Sequence, residues 1–193
     1  PARIIKNGQM LEDWIMRYAE LGIIKALVLA GSPLKATGGF KSSMDLLSTG
    51  FFEKHNFVEI FCAGHPEGNK DIDFDGTDKN LISALKWKND FFQHTKIKWS
   101  LTTQFCFELE PISIWEKRLF DEGISVPINI GVAGPAKLQT MIKFALMCGV
   151  GPSIRVLEKR AKDLTKLLLP YSPDKFLSDL TNYQLSNKTS NIN

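Results

Sequence analysis

The chain reads as an α/β protein of the (β/α)8, TIM-type barrel class, present as an incomplete portion of about four to five βα units. Three observations predict this. Short apolar segments alternate with stretches of helical periodicity. The apolar segments recur roughly 30–40 residues apart, a spacing that leaves room for a crossover helix and so implies parallel pairing. Neither a GxGxxG fingerprint nor a P-loop occurs, which removes the Rossmann and nucleotide-kinase versions of the same alternation. A closed barrel needs eight strands and four are clear, so the segment is expected to be part of a longer barrel. Residues 1–182 are assigned to the barrel and 183–193 to a polar, flexible tail.

Ala2-Arg3-Ile4-Ile5 reads as the end of a strand and its following loop. Leu11, Trp14, Ile15, Tyr18 and Ala19 then mark one helix face, and Gly22 stops that helix. Ile23–Ala30 is continuously apolar apart from Lys25, as a strand buried on both faces should be. The loop Gly31–Phe40 leads to a short helix with Met44, Leu47 and Phe51 inward. Phe57–Ala63 is the second strand, and the segment 70–77 is an acidic surface loop. Thr77 or Asp78 is placed to cap a helix that puts Leu81, Ile82, Leu85 and Phe92 on one face. Trp99–Phe107 is the third strand. Pro111 suits the first turn of the next helix, with Ile112, Trp115 and Leu119 inward and Gly123 as its stop. Val126–Val132 is the fourth strand. Leu138, Met141, Ile142, Ala145 and Leu146 repeat at helical spacing up to Gly149. Ile154, Leu157, Ala161, Leu164 and Leu168 define another helix, broken at Pro170, and Phe176, Leu177 and Leu180 a last short one.

With 193 residues, 44% of them hydrophobic and 23% charged, the composition is that of an ordinary globular domain. The net charge of +3 comes without basic runs interleaved with aromatics, which argues against nucleic acid. Cys62, Cys106 and Cys148 are odd in number and lack metal-ligand spacing, so no metal is expected; the first two fall in strands, where a thiol is a small apolar group. Such thiols fit a reducing cytoplasmic compartment. No apolar run reaches membrane-spanning length.

The chemistry of such a fold is held at the carboxyl ends of its strands. Gln104 is the polar residue that stands out there, an amide near the end of the third strand that needs a hydrogen-bonding reason. It either meets a ligand or satisfies a loop backbone. Three strand-end loops, Ala30-Gly31-Ser32, Gly64–Asn69 and Ala133–Ala136, carry glycines that admit a flat ligand or serve plain turns. His65 is a stacking ring or proton donor, or else a capping residue. Glu67 is an acid or base, or a partner for loop amides. Lys88 can pair with a phosphate, although a helix lysine is ordinarily solvated.

Taken in order, a strand ending AG, the loop AGHPEGN, a helix carrying LKWK, the strand TTQFCFE and the run GISVPINIGVAGPA resemble the methylenetetrahydrofolate reductase family, from about Arg3 to Leu180. That family is a flavin-dependent barrel that reduces 5,10-methylenetetrahydrofolate to 5-methyltetrahydrofolate with a nicotinamide donor, in one-carbon and methionine metabolism. The resemblance implies FAD as cofactor, NAD(P)H as hydride donor, a folate as substrate and a homo-oligomer as an allowed assembly. It implies cofactor-binding roles for Ala30, Gly31, Ser32, Ser42, Ser43, His65, Asn69 and Lys88. It gives Gln104 a catalytic and substrate-binding role, and Gln139 and Thr140 a further folate contact. Three positions depart from the family pattern: Ser32 stands where an aspartate is usual, His65 for a tyrosine and Asn69 for a histidine. The family's general-acid glutamate is expected outside this stretch. Two alternatives follow from these departures, a reductase-like barrel that binds folate without full catalysis, and one acting on another folate-linked methyl-transfer substrate. A phosphate-binding barrel of the aldolase type lacks a catalytic lysine at a strand end.

Overall fold

The computed structural model describes residues 1–32, 36–148 and 171–193. Four parallel strands form one sheet in the order β1 (Lys25–Val28), β2 (Glu59–Gly64), β3 (Lys98–Cys106) and β4 (Ile128–Val132). Sequence neighbours are sheet neighbours, as βα crossovers of this length dictate. The α/β class and the parallel sheet are as expected. Among the described residues the sheet is open, with β1 and β4 as its edges, and matches part of a barrel. The chain divides into two compact units, Pro1–Ala63 with Ile82–Thr102 and Gly64–Leu81 with Thr103–Asn193.

In the first unit, Ala2–Ile4 is a 3-10 turn and not a strand end; its Ala2 and Arg3 amides donate to Leu29 O and Ala30 O at 2.8 and 3.0 Å. Helix α1 (Gly8–Glu20) starts where the Asn7 side chain accepts from the Met10 amide, and it stops at Gly22. Leu11 and Ile15 are buried, but Trp14 and Tyr18 are 38% and 49% exposed, contrary to the expected inward face. The covered stripe is only as wide as the contact with α3 requires. Strand β1 is shorter than the apolar run, and Ile23, Ile24 and Leu27 are exposed. As an edge it pairs only with β2 among the described strands, from Lys25↔Glu59 to Val28↔Cys62, and its alternate residues Lys25 and Leu27 are exposed.

The expected short helix is two: α2 (Ser43–Leu47) and α3 (Phe51–Lys54). The Thr49 hydroxyl donates to Leu46 O at 2.7 Å and closes the first of them. This moves the buried positions to Leu46, Leu47 and Phe52, while Met44 and Phe51 are half-buried. On α4 (Lys79–Gln93), Leu81, Ile82, Leu85 and Phe92 are buried as expected. Phe92 stacks on Trp99 of β3 with centroids 5.2 Å apart.

In the second unit, the start of α4 is capped by Asp73, which accepts from the Asn80 and Leu81 amides at 3.0 and 3.0 Å. Asp73 is therefore buried inside a loop expected to be solvated throughout. The expected caps are engaged elsewhere, Thr77 with Asp75 and Asp78 with Arg118. Helix α5 (Leu109–Asp121) buries Ile112, Trp115 and Leu119 as expected. It also buries Glu116, whose carboxylate accepts from Tyr183 Oη (2.8 Å), Ser190 Oγ (2.8 Å) and the Asn191 amide (2.6 Å). Helix α6 spans Leu138–Cys148 with Met141 buried. Helix α7 (Asp174–Ser186) buries Phe176 and Leu180 and leaves Leu177 exposed.

Residues 183–193 are tied down where a loose tail was expected. Tyr183 to Ser186 complete α7, and Ile192 is buried beside Ile128 in a parallel bridge. The polar residues of this segment satisfy a buried carboxylate. The expected helix at 154–168, the stop at Gly149 and the break at Pro170 lie outside the described residues. Among the described residues no helix is long and apolar enough to cross a membrane.

Because three donors converge on Glu116, Glu116→Ala leaves each of them without its acceptor. The substitution is expected to cost about 1–3 kcal/mol in denaturant unfolding. Amide exchange should quicken first at 187–193, and unchanged protection there would show that the carboxylate does not hold the segment.

Candidate functional site

In the first unit, three sequence-predicted residues follow β1. Gly31 has φ +87°, and its carbonyl accepts from the Arg3 guanidinium at 2.6 Å. A methyl group at Gly31 would lie 2.8 Å from Pro1 Cβ, so conformation and space both require glycine. Ala30 and Gly31 are half-buried, and Ser32 is exposed. Ser42 is the cap of α2: its Oγ accepts from the Asp45 amide at 3.2 Å, and Asp45 Oδ2 accepts from the Ser42 amide. Burial alone would raise the Asp45 carboxyl, but the Lys41 and Ser42 donors outweigh it and hold that group below the usual carboxylate value. The Ser42 hydroxyl is thus committed to a helix terminus, and the neighbouring Ser43 hydroxyl has no partner among the described residues.

Lys88 is 6% exposed, where a solvated position was expected. It occupies the same stripe of α4 as Leu81, Leu85 and Phe92, at positions 81, 85, 88 and 92, and that periodicity carried the signal. Its ammonium has no hydrogen-bond or ion-pair partner among the described residues. Burial drives its pKa below the ordinary lysine value, offset in part by the Cys62 thiol. The same burial pushes Cys62 up to about 11, with Lys88 acting in the opposite direction.

In the second unit, His65 and Asn69 stand in the loop after β2. The His65 carbonyl accepts from the Gly68 amide at 3.0 Å, and Asn69 Oδ1 accepts from the Asp71 amide at 2.9 Å. Both residues are half-buried. Gln104 in β3 is exposed, and its side-chain amide has no partner among the described residues. No described loop backbone is bonded to it. The backbone under it is closely held. Gln104 O accepts from Thr103 Oγ1 at 2.7 Å and from Cys106 Sγ at 3.4 Å, and Thr103 Oγ1 accepts from the Gly131 amide of β4 at 2.9 Å. Burial, together with the charge of Glu67, pushes the Cys106 thiol up to about 12. Gln139 and Thr140 are exposed on the first turn of α6. Among the described residues no group of His, Cys, Asp and Glu is arranged to hold a metal ion.

Thr103 and Gly131 escaped the sequence reading. A glycine in the interior of the fourth strand, VPINIGV, was the available sign of a close backbone approach.

Two outcomes follow. Cys62 and Cys106, buried and held as thiols, are expected to resist iodoacetamide at pH 8 until the chain unfolds; labelling of either peptide in the native protein, read by mass spectrometry, would contradict their assignment as inert. For Lys88, the folded chain binds fewer protons than the unfolded one between the depressed and the ordinary lysine values. Its penalty is therefore full below the depressed value and absent above the ordinary one, and stability gains with pH across that window. Lys88→Met should flatten that alkaline slope and raise the melting temperature at neutral pH by roughly 2–4 °C. An unchanged slope would show that Lys88 is solvated.

No family model matches the chain. Over 154 residues it is 26% identical to methylenetetrahydrofolate reductase 1 of Schizosaccharomyces pombe, an alignment covering 75% of this chain and 24% of that protein. The chain thus spans about a quarter of the length of the curated relative it matches.

Proposed function

We propose that the chain is part of a flavin-dependent reductase that converts 5,10-methylenetetrahydrofolate to 5-methyltetrahydrofolate with NAD(P)H. The observation that carries this reading is Gln104, an exposed amide without a partner among the described residues, on a closely held stretch of β3. Such a group is costly to leave idle in a ligand-binding cleft and inexpensive to leave in water, so its fixed backbone points to recognition. The likeness to a methylenetetrahydrofolate reductase over three quarters of the chain supports it.

The residues fit the cofactor the reading needs. A buried ammonium without an ion-pair partner among the described residues, Lys88, suits an anionic group of FAD. Gly31, whose carbonyl is held by Arg3, contributes backbone at the end of β1. When bound, the flavin supplies the hydride-transfer chemistry. In the first unit, Ala30, Gly31, Ser32, Ser43 and Lys88 are assigned to binding it; Ser42 acts by fixing the start of α2 that carries Ser43. In the second unit, His65 and Asn69 are assigned to the same cofactor, and Gln139 and Thr140 to the folate. Gln104 can donate from nitrogen and accept at oxygen, so one side chain can orient a nicotinamide carboxamide in one half-reaction and a pterin in the other. Ser32 keeps a hydroxyl where a carboxylate is usual. That favours, as a second reading, a barrel that binds folate without turnover.

Absorbance of the full-length protein separates the readings. A flavin spectrum that bleaches with NADH or NADPH in the absence of oxygen and recovers on adding methylenetetrahydrofolate is expected. Bleaching without recovery moves the substrate elsewhere, and a folate-binding chain with no flavin makes the binding-only barrel correct. Gln104→Ala should leave flavin bound and slow reoxidation by folate about tenfold, the loss of roughly one hydrogen bond, with a smaller effect on reduction by nicotinamide. Equal loss in both half-reactions would contradict the role given to Gln104.

A further inference from the structure

Resting on that reading of Gln104, we propose that Thr103 and Gly131 are positioning residues that aim its amide. Gln104 itself is exposed, so side-chain packing does not fix its direction. The backbone has to do so. Thr103 Oγ1 spends its one proton on Gln104 O at 2.7 Å and takes the Gly131 N–H at 2.9 Å, which clips the end of β3 to β4 through a side chain. The Cys106 thiol donates to the same Gln104 carbonyl at 3.4 Å, and its sulfur lies 3.8 Å from Thr103 Oγ1. Thr103 is buried, so the hydroxyl of the clip is largely sheltered from competing water.

Gly131 completes the arrangement from the other strand. A methyl group there would meet Gln104 O at 2.6 Å, Gln104 C at 2.8 Å and Thr103 O at 2.8 Å. All three are backbone atoms and cannot swing aside. An alanine must push the Gln104 peptide away from β4, and the side chain that leaves that peptide turns with it. At a reacting centre a displacement of even 1 Å is costly.

Three variants and two readouts test this. Thr103→Val keeps the shape and removes the hydroxyl; Thr103→Ser keeps the hydroxyl; Gly131→Ala keeps every polar group. In the full-length protein labelled at the Gln104 carbonyl, Thr103→Val should move the 13C resonance upfield through loss of a donor, and Thr103→Ser should restore it. In the flavin assay, Thr103→Val and Gly131→Ala should each slow reoxidation by folate about tenfold while leaving reduction by nicotinamide within about twofold. Combined with Gln104→Ala, neither should slow reoxidation further, because the group being aimed is gone. If Thr103→Val fails to fold, Gly131→Ala reads the same coupling. Additive losses with Gln104→Ala, or a serine that restores neither the resonance nor the rate, would overturn the positioning role and leave the reductase reading intact. An unmodified chain whose reduced flavin is not reoxidised by folate removes that reading first, and the role of Thr103 and Gly131 with it.

Discussion

The Gly131 amide donates to the Thr103 hydroxyl on the neighbouring strand, and the strand-end geometry around Gln104 in the second unit is held through that bond. In a parallel sheet every interior N–H has a partner, so a donor redirected to a side chain must be matched by an acceptor placed for it. Thr103 supplies one and passes its own proton to the Gln104 carbonyl. The chain from Gly131 through Thr103 to Gln104 is therefore directional and fully satisfied. It needs a hydroxyl at 103 and no side chain at 131, which is a narrow specification for two positions that carry no chemistry of their own.

In the first unit the governing constraint is burial of charge. A lysine ammonium without an ion-pair partner is among the more costly groups to take out of water, and Lys88, which has none among the described residues, is held there by its place on the apolar stripe of α4. Its neighbour Cys62 offsets this only in part, because burial raises that thiol to about 11. An anion arriving at Lys88 would remove a standing penalty as well as form a contact. Affinity at such a site is gained partly from what the ligand-free protein lacks, and this is the physical reason to expect a bound anion to stabilise the fold.

Elements were legible in the sequence where period and punctuation agreed. Helix α5 came through with Ile112, Trp115 and Leu119 inward and a stop at Gly123, because that stripe lies between clear signals, although Ile114 and Phe120 fall off it and are exposed. Helix α1 came through in extent but not in face: Trp14 and Tyr18 fit the period, yet burial depends on what lies opposite, which no local pattern contains. The same limit explains β1, whose apolar run predicts two covered faces although it is an edge of the described sheet. Asp73 as the cap of α4 was out of reach for another reason. The donor amides at 80 and 81 are seven and eight residues away, beyond the local window that capping patterns use. Glu116 and the segment 183–193 illustrate a long-range version, a polar tail ordered by a single carboxylate 67 to 75 residues earlier in the chain.

The candidate site inverts two sequence expectations, and the inversion is informative. Gln104 was expected among buried neighbours and stands exposed, and Lys88, ordinarily solvated on a helix, is buried; neither side chain has a hydrogen-bond or ion-pair partner among the described residues. Propensity rules assign polar groups to water and apolar groups to the core, and a fold obeys them unless another use for the residue competes. A buried cation and an idle amide on a clipped backbone each depart from the rule in the direction that leaves binding capacity unspent. A structural role would have consumed it, as the Ser42 hydroxyl is consumed by the α2 cap and the Asn69 carbonyl by the Asp71 amide. Among the residues the resemblance singles out, Lys88 and Gln104 are therefore the two on which a ligand has the most to gain.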